Sequence, residues 1–326
     1  MIDLPYAEQP FVTVAVNFDR HTKSLVALAA SLAKSVSKKL CLVHVMTPPI
    51  DFAATASLGM PEGVMELLPR VTEALRADAD GKLKALAAEQ AAGVATELVV
   101  AEGPVIEALI REASRVGTFL MITGAGHNAA SRLLPSGFST GLSLLAAAPM
   151  PVMVIDTETH LPKLDGAWRM LVADDFSPQS DAALRMAAAL AERVKQPSIS
   201  HIHISSLTAG NLKAALEGAA AAAHTEMTPP ELNDIFRAVH DKQRERLEDR
   251  FAEYRDLVEA RGGEYSAEVF AGSLRSELER AVWGFDPDVL IFGKHRAFHA
   301  KPFSLGRLPV RAMLDFRRPV IAVPAL

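Results

Sequence analysis

The 326-residue chain has a single cysteine, Cys41. A lone thiol closes no intrachain disulfide. Its place in the apolar string KLCLVHV reads as a small core side chain in a reducing compartment. Neither charge dominates: 34 basic residues stand against 39 acidic ones, a formal net charge of −5. That balance argues against general affinity for nucleic acid. No apolar run approaches the ~20 residues a membrane span requires, so no membrane association is expected. The start MIDLPYAEQPF lacks the basic and apolar regions of a signal peptide, and a soluble, cytoplasmic protein is expected. Common nucleotide and metal signatures are missing as well. There is no Walker loop, no G-x-G-x-x-G after the first strand, no S-G-G-x-D-S loop and no paired-cysteine site.

What the chain does contain, it contains twice. GTFLMITGAGHNAASRLLPSGFSTGLSLLAAAPMPVMVID recurs in outline as DPDVLIFGKHRAFHAKPFSLGRLPVRAMLDFRRPVIAVP. In each copy an apolar run reaches a glycine, Gly124 or Gly293, and a second glycine follows thirteen residues later, Gly137 or Gly306. Both pairs, and Gly103 with Gly272, keep an offset of 169 residues. Upstream, FVTVAVNFDRHTKSLVALAASLA pairs with WRMLVADDFSPQSDAALRMAAALA, which sets Asn17 against Asp175 at an offset of 158. The difference, 169 − 158 = 11, is extra length before Gly272 in the second copy. A period of about 160 residues fits two copies of one domain.

Each copy alternates apolar runs with amphipathic stretches. Strands are expected at Phe11–Asn17, Lys39–Met46, Ala95–Ala101, Thr118–Thr123 and Pro151–Ile155 in the first copy. The second copy repeats them at Arg169–Asp174, Ser198–Ser205, Tyr265–Phe270, Val289–Phe292 and Pro319–Val323. Near-continuous apolar strands separated by helices predict a parallel sheet covered on both faces, with ligands at the carboxyl ends where strand order reverses. Asp19, and Ser177 followed by Pro178, have the character of helix N-caps. Thr157–Gly166 reads as the linker. In the long segment Leu207–Gly263, an alanine-rich run precedes a charged helix whose Leu247, Phe251, Tyr254 and Val258 form an apolar seam. This is either a lengthened crossover packed on its own sheet, the reading favoured by the seam, or a partner-binding or dimerising arm.

Both copies resemble universal stress protein domains, and the chain resembles the tandem members of that family along nearly its whole length. The resemblance implies an α/β fold: two five-stranded parallel-sheet sandwiches of the adenine-nucleotide α-hydrolase-like type. The domains would be 1–156 and 167–326, the second with a helical insertion at about 207–263. They would pack as a pseudo-dimer through their fifth strands, with further homodimerisation left open. In the family, a glycine after the fourth strand, two residues, a second glycine, nine residues and Gly-Ser or Gly-Thr wrap the ATP phosphates. An aspartate in D-F-S lies near the adenosine.

Asp175-Phe176-Ser177 keeps that tripeptide, and Asn17-Phe18-Asp19 alters it. Both loops keep the spacing and change the chemistry. His127 and Arg296 stand at the second glycine, and Phe138 and Arg307 follow Gly137 and Gly306, with Ser139 one place late. A side chain at a position needing a close backbone approach opposes phosphate there. The first copy's set is then Asn17, Gly124, His127, Gly137 and Ser139. The second copy's is Asp175, Gly293, Arg296, Gly306 and Arg307, among the cations Lys294, Arg296, Lys301 and Arg307. Arginine forks bind phosphate bidentately, so the second copy is the candidate for ATP, another adenine nucleotide or a small phosphorylated ligand.

The expected function is non-enzymatic, a role in stress response through ligand or partner binding. The alternatives are a phosphorylated-ligand sensor in the second copy, or weak ATP or ester hydrolysis. Gly137-Phe138-Ser139-Thr140-Gly141 matches the G-x-S-x-G string of serine hydrolases but lacks a strand directly before it, so no catalytic residue is assigned. His201-x-His203 places two rings on one strand face, with His44 on the matching strand. Packing is the ordinary reading, and no metal is assigned.

Overall fold

A computed structural model describes residues 6, 8–46, 62–125, 140–156, 167–223, 229–294 and 316–325. The described residues fall into two compact units, 6–156 and 167–325. The first contains β1 (Phe11–Ala15), α1 (Thr22–Ser35), β2 (Lys39–Met46), α2 (Glu62–Gln90), β3 (Thr96–Glu102), α3 (Val105–Val116), β4 (Thr118–Gly124), α4 (Thr140–Ala147) and β5 (Val152–Ile155). Its strands are all parallel, in the order β3-β2-β1-β4-β5.

The second unit contains β6 (Arg169–Ala173), α5 (Pro178–Ala191), β7 (Ser198–Ser205), α6 (Ala209–Ala223), α7 (Pro229–Glu259), β8 (Glu264–Ala271), α8 (Leu274–Phe285), β9 (Val289–Lys294) and β10 (Val320–Pro324). Its order, β8-β7-β6-β9-β10, is the same and again wholly parallel. Strand order reverses between β1 and β4 and between β6 and β9, so each unit has its switch point where a ligand edge is expected.

The central strands are apolar because helices cover both faces. Val12, Val14, Leu120 and Ile122 are fully buried, as are Leu171, Val172, Leu290 and Ile291. The two expected first strands run too long by one or two residues. β1 stops at Ala15 and β6 at Ala173, and just beyond them Phe18 (φ 56°) and Phe176 (φ 63°) adopt the left-handed conformation. A large side chain rarely tolerates that region, so surrounding contacts must hold it.

Ser177 caps α5 as expected, accepting from the Ser180 N–H at 3.3 Å with Pro178 in the first turn. Asp19 does not cap α1. His21 occupies that place, and the Asp19 carboxylate accepts from the His21 N–H at 2.8 Å and the Thr22 hydroxyl at 3.1 Å. An extra turn therefore separates β1 from its helix.

The seam of the long second-copy helix is buried: Leu247, Phe251 and Val258 at 0% exposure and Tyr254 at 3%. It packs on β7, β8 and α5, which is the lengthened crossover rather than a free arm. The first copy answers with α2, of comparable length.

Candidate functional site

The second copy builds its strand-end edge around a carboxylate that the D-F-S pattern does not single out. Asp174 and Asp175 follow β6 in succession, and the chain buries the first and exposes the second. Asp175 is exposed and accepts from the Ser177 N–H at 3.1 Å and the Ser177 hydroxyl, so it braces its own turn. Asp174 is 3% exposed. Its Oδ1 accepts from the Phe176 N–H and the Ser180 hydroxyl, both at 2.6 Å. Its Oδ2 accepts from His201 Nε2 at 2.9 Å and from Arg250 Nε at 2.8 Å.

Arg250 comes from α7, the segment that differs most between the copies. Its guanidinium also donates to the Ser177 carbonyl at 3.2 Å and the Ser180 hydroxyl at 3.1 Å, and pairs with Asp181 at 2.6 Å. One arginine thereby joins the end of β6, the first turn of α5 and the crossover helix. Behind His201, Nδ1 lies 2.9 Å from the Tyr265 hydroxyl, which is 3.2 Å from the Leu247 carbonyl. Burial raises the Asp174 carboxyl, but the His201 and Ser180 hydrogen bonds and the Arg250 charge outweigh it and hold it at about 2. Burial lowers His201, outweighing the help of Asp174, so the imidazole is neutral. It then donates from Nε2 to the carboxylate, which leaves Nδ1 an acceptor that shares the single phenolic proton of Tyr265 with the Leu247 carbonyl.

Both copies set a tilted aromatic pair beside this point. Phe176 lies 4.3 Å from the His203 ring, and His203 Nδ1 is 2.7 Å from the Asp174 carbonyl. Phe18 lies 4.5 Å from His44, whose Nδ1 is 2.8 Å from the Val16 carbonyl. A cation from the long helix covers each phenylalanine: Arg246 at 4.4 Å in one, Lys82 at 5.8 Å in the other. His201 and His203 are thus spent on Asp174, Tyr265 and the strand end.

The other expected site residues divide sharply. Asn17 is exposed; its amide donates to Asp19 at 2.9 Å and its carbonyl accepts from the Thr22 hydroxyl at 3.1 Å. Gly124 closes β4. Gly293, near the end of β9, packs so closely on α5 that a Cβ there would stand 2.1 Å from the Gln179 carbonyl oxygen. Its smallness serves helix–strand contact. Beside it Lys294 is 3% exposed, and burial pushes its amine down to about 7. His127, Gly137, Ser139, Arg296, Gly306 and Arg307 lie outside the described residues, as does the linker.

The fold has known counterparts. A universal stress protein from Archaeoglobus fulgidus DSM 4304 is similar over 98% of both chains, at 14% identity and a TM-score of 0.58. A functionally unknown protein from Pseudomonas aeruginosa PAO1 is similar over 98% of this chain and 94% of its own, at 15% identity and a TM-score of 0.55. No curated protein matches the chain. The model of the universal stress protein family matches twice, at residues 12–156 and 168–324. With both halves matched in full, the chain belongs to the universal stress protein family.

Proposed function

We propose that this protein acts in stress response as a non-enzymatic binding protein, with nucleotide loops in both copies that have lost the family's glycine pattern. One observation carries the reading. At the strand-end edge of the second copy, Asp174, Ser177 and Ser180 are engaged by Arg250 from the protein's own crossover helix. Groups that could meet a ligand or move a proton instead hold the fold together. The sequence supports the same view, since His127 and Arg296 stand where the family's loop has its second glycine. Native mass spectrometry of the full chain with ATP, ADP and AMP, beside a phosphate-release assay, tests it. The expected result is a chain that neither retains a nucleotide nor turns one over. Hydrolysis that disappears in Asp175→Ala or Ser139→Ala would overturn it.

A second reading is favoured by Lys294. A buried amine held at about 7, next to Gly293 at the switch point, gains a proton when an anion arrives. Under that reading the second copy senses a phosphorylated small molecule through Asp175, Gly293, Arg296, Gly306 and Arg307. One nucleotide per chain, lost in the Arg296→Ala/Arg307→Ala double variant, is its signature.

A further inference from the structure

In the second unit the sheet ends on β8, which pairs with β7 on one side only among the described residues. The Glu264 N–H donates to the Pro197 carbonyl at 2.8 Å, and the Gly272 N–H to the Ser205 carbonyl at 3.0 Å. Main-chain direction alternates along a strand. Glu264, Ser266, Glu268 and Phe270 therefore address β7, while Tyr265, Ala267 and Val269 turn N–H and C=O to the open edge. Such an edge is a template for another strand unless something blunts it.

Beside the edge runs α7, and between them lies a groove of about 740 Å³ whose walls include Arg244, Glu248, Arg255, Glu259, Tyr265 and Glu268. Arg255 lies over the Tyr265 ring, 5.3 Å from its centre. Its Nε is buried with no hydrogen-bond partner among the described residues. The charge of the walls is acidic. Arg244 and Glu248 pair at 3.2 Å, but Glu259, Glu264 and Glu268 have no ion-pair partner among the described residues.

The first copy shows the blunted form of this edge. There Arg76 of α2 donates to the Val100 carbonyl of β3 at 3.3 Å and pairs with Glu102 at 2.6 Å. A side chain from the long helix already sits on the edge strand. The second copy offers the same edge with acidic walls.

We propose that this groove takes an extended segment of a partner protein bearing lysine or arginine, added to β8 as the next strand. Main-chain pairing with Tyr265, Ala267 and Val269 supplies affinity, and the unpaired glutamates select basic side chains. A second copy of this chain fits poorly, because edge-to-edge pairing sets Glu264 and Glu268 of both chains on one seam. The site lies along the sheet edge, apart from the strand-end residues of the proposed function, so either reading can fail alone.

The test uses the full chain and labelled peptides in fluorescence anisotropy, with amide hydrogen exchange read at β8. The probe is a short peptide alternating lysine and valine. The controls are its glutamate counterpart and the same lysine peptide with alternate amides N-methylated. The expected result is binding of the lysine peptide roughly tenfold or more tighter than either control. It should come with slowed exchange at Tyr265, Ala267 and Val269 and weaken in Glu264→Lys/Glu268→Lys. Equal binding of the N-methylated peptide would mean charge attraction without a strand, and refutes the proposal. So does no binding at all, or a concentration-dependent dimer that protects β8 in place of the peptide.

Discussion

Asp174→Asn removes one charge and keeps the side chain's shape, so its cost measures what the buried carboxylate does. In the fold this carboxyl is held at about 2, against an ordinary value of 3.8. A depressed acid contributes stability above its unfolded value and loses it as pH falls through the folded one. The shift, 3.8 − 2, corresponds to about 2 kcal/mol at neutral pH. Asparagine also presents an amide where Arg250 and His201 need acceptors, so about 2 kcal/mol is the lower end; breaking a buried pair outright costs about 3–5. Arg250 keeps Asp181, which limits the loss.

Both tryptophans, Trp168 and Trp283, lie in the second unit, so their fluorescence follows the unfolding of that unit in denaturant. The variant should be less stable by about 2–3 kcal/mol at pH 7. The gap should fall to roughly half by pH 3, because there the carboxyl of the unfolded chain, at its ordinary 3.8, has taken up a proton while the folded one, at about 2, has not. His201 sets a separate, earlier decline. Its value is lowered in the fold, so its contribution is present above 6.5 and fades as pH falls below that point. A loss below about 0.5 kcal/mol at pH 7, or a gap unchanged between pH 5 and pH 3, would refute the account of Asp174 as an ionised, internally paired group.

Three further outcomes follow from the same contacts. Gly293→Ala should destabilise the second unit by at least about 2 kcal/mol in the same fluorescence assay, since its Cβ would meet the rigid main chain of Gln179 at 2.1 Å. Tyr265→Phe keeps the ring stacked 4.4 Å from Phe251 but strips partners from His201 and Leu247, and should cost about 1–2 kcal/mol. Cys41 is fully buried and its thiol is pushed up to about 12, so a thiol reagent at neutral pH should label it only in denaturant; prompt labelling of the native chain would contradict its burial.

The strands were legible because a parallel sheet covered on both faces leaves apolar runs too short for helices. The repeat then checked each run against its twin. The errors cluster where the chain leaves the sheet. β1 and β6 end early because Phe18 and Phe176 turn left-handed, a conformation held by the His44 and His203 rings that no local propensity announces. Asp19 has the composition of an N-cap, but the turn it braces delays α1 to Thr22. The apolar seam of α7 was readable from spacing, because only burial on a sheet explains four large side chains on one stripe of a charged helix.

The buried network was harder to see, and the reason lies in what was compared. Matching this chain to a family motif draws the eye to Asp175, the acid that fits the tripeptide. Matching the chain to itself points elsewhere. In register, Val14 pairs with Leu42 in the first sheet and Val172 with His201 in the second. His201 therefore stands where the first copy has a leucine. By the same correspondence Asp174 stands at Val16, and Tyr265 at Thr96. An acid, an imidazole and a phenol replacing smaller or apolar partners in one core must satisfy one another, since none could be buried alone. The remaining positive charge has to come from an element the first copy does not supply in the same way. Arg250 reaches them from α7. The divergence of the crossover helix and the polar core of the second sheet are one change, made where the family's fold presents its ligand edge.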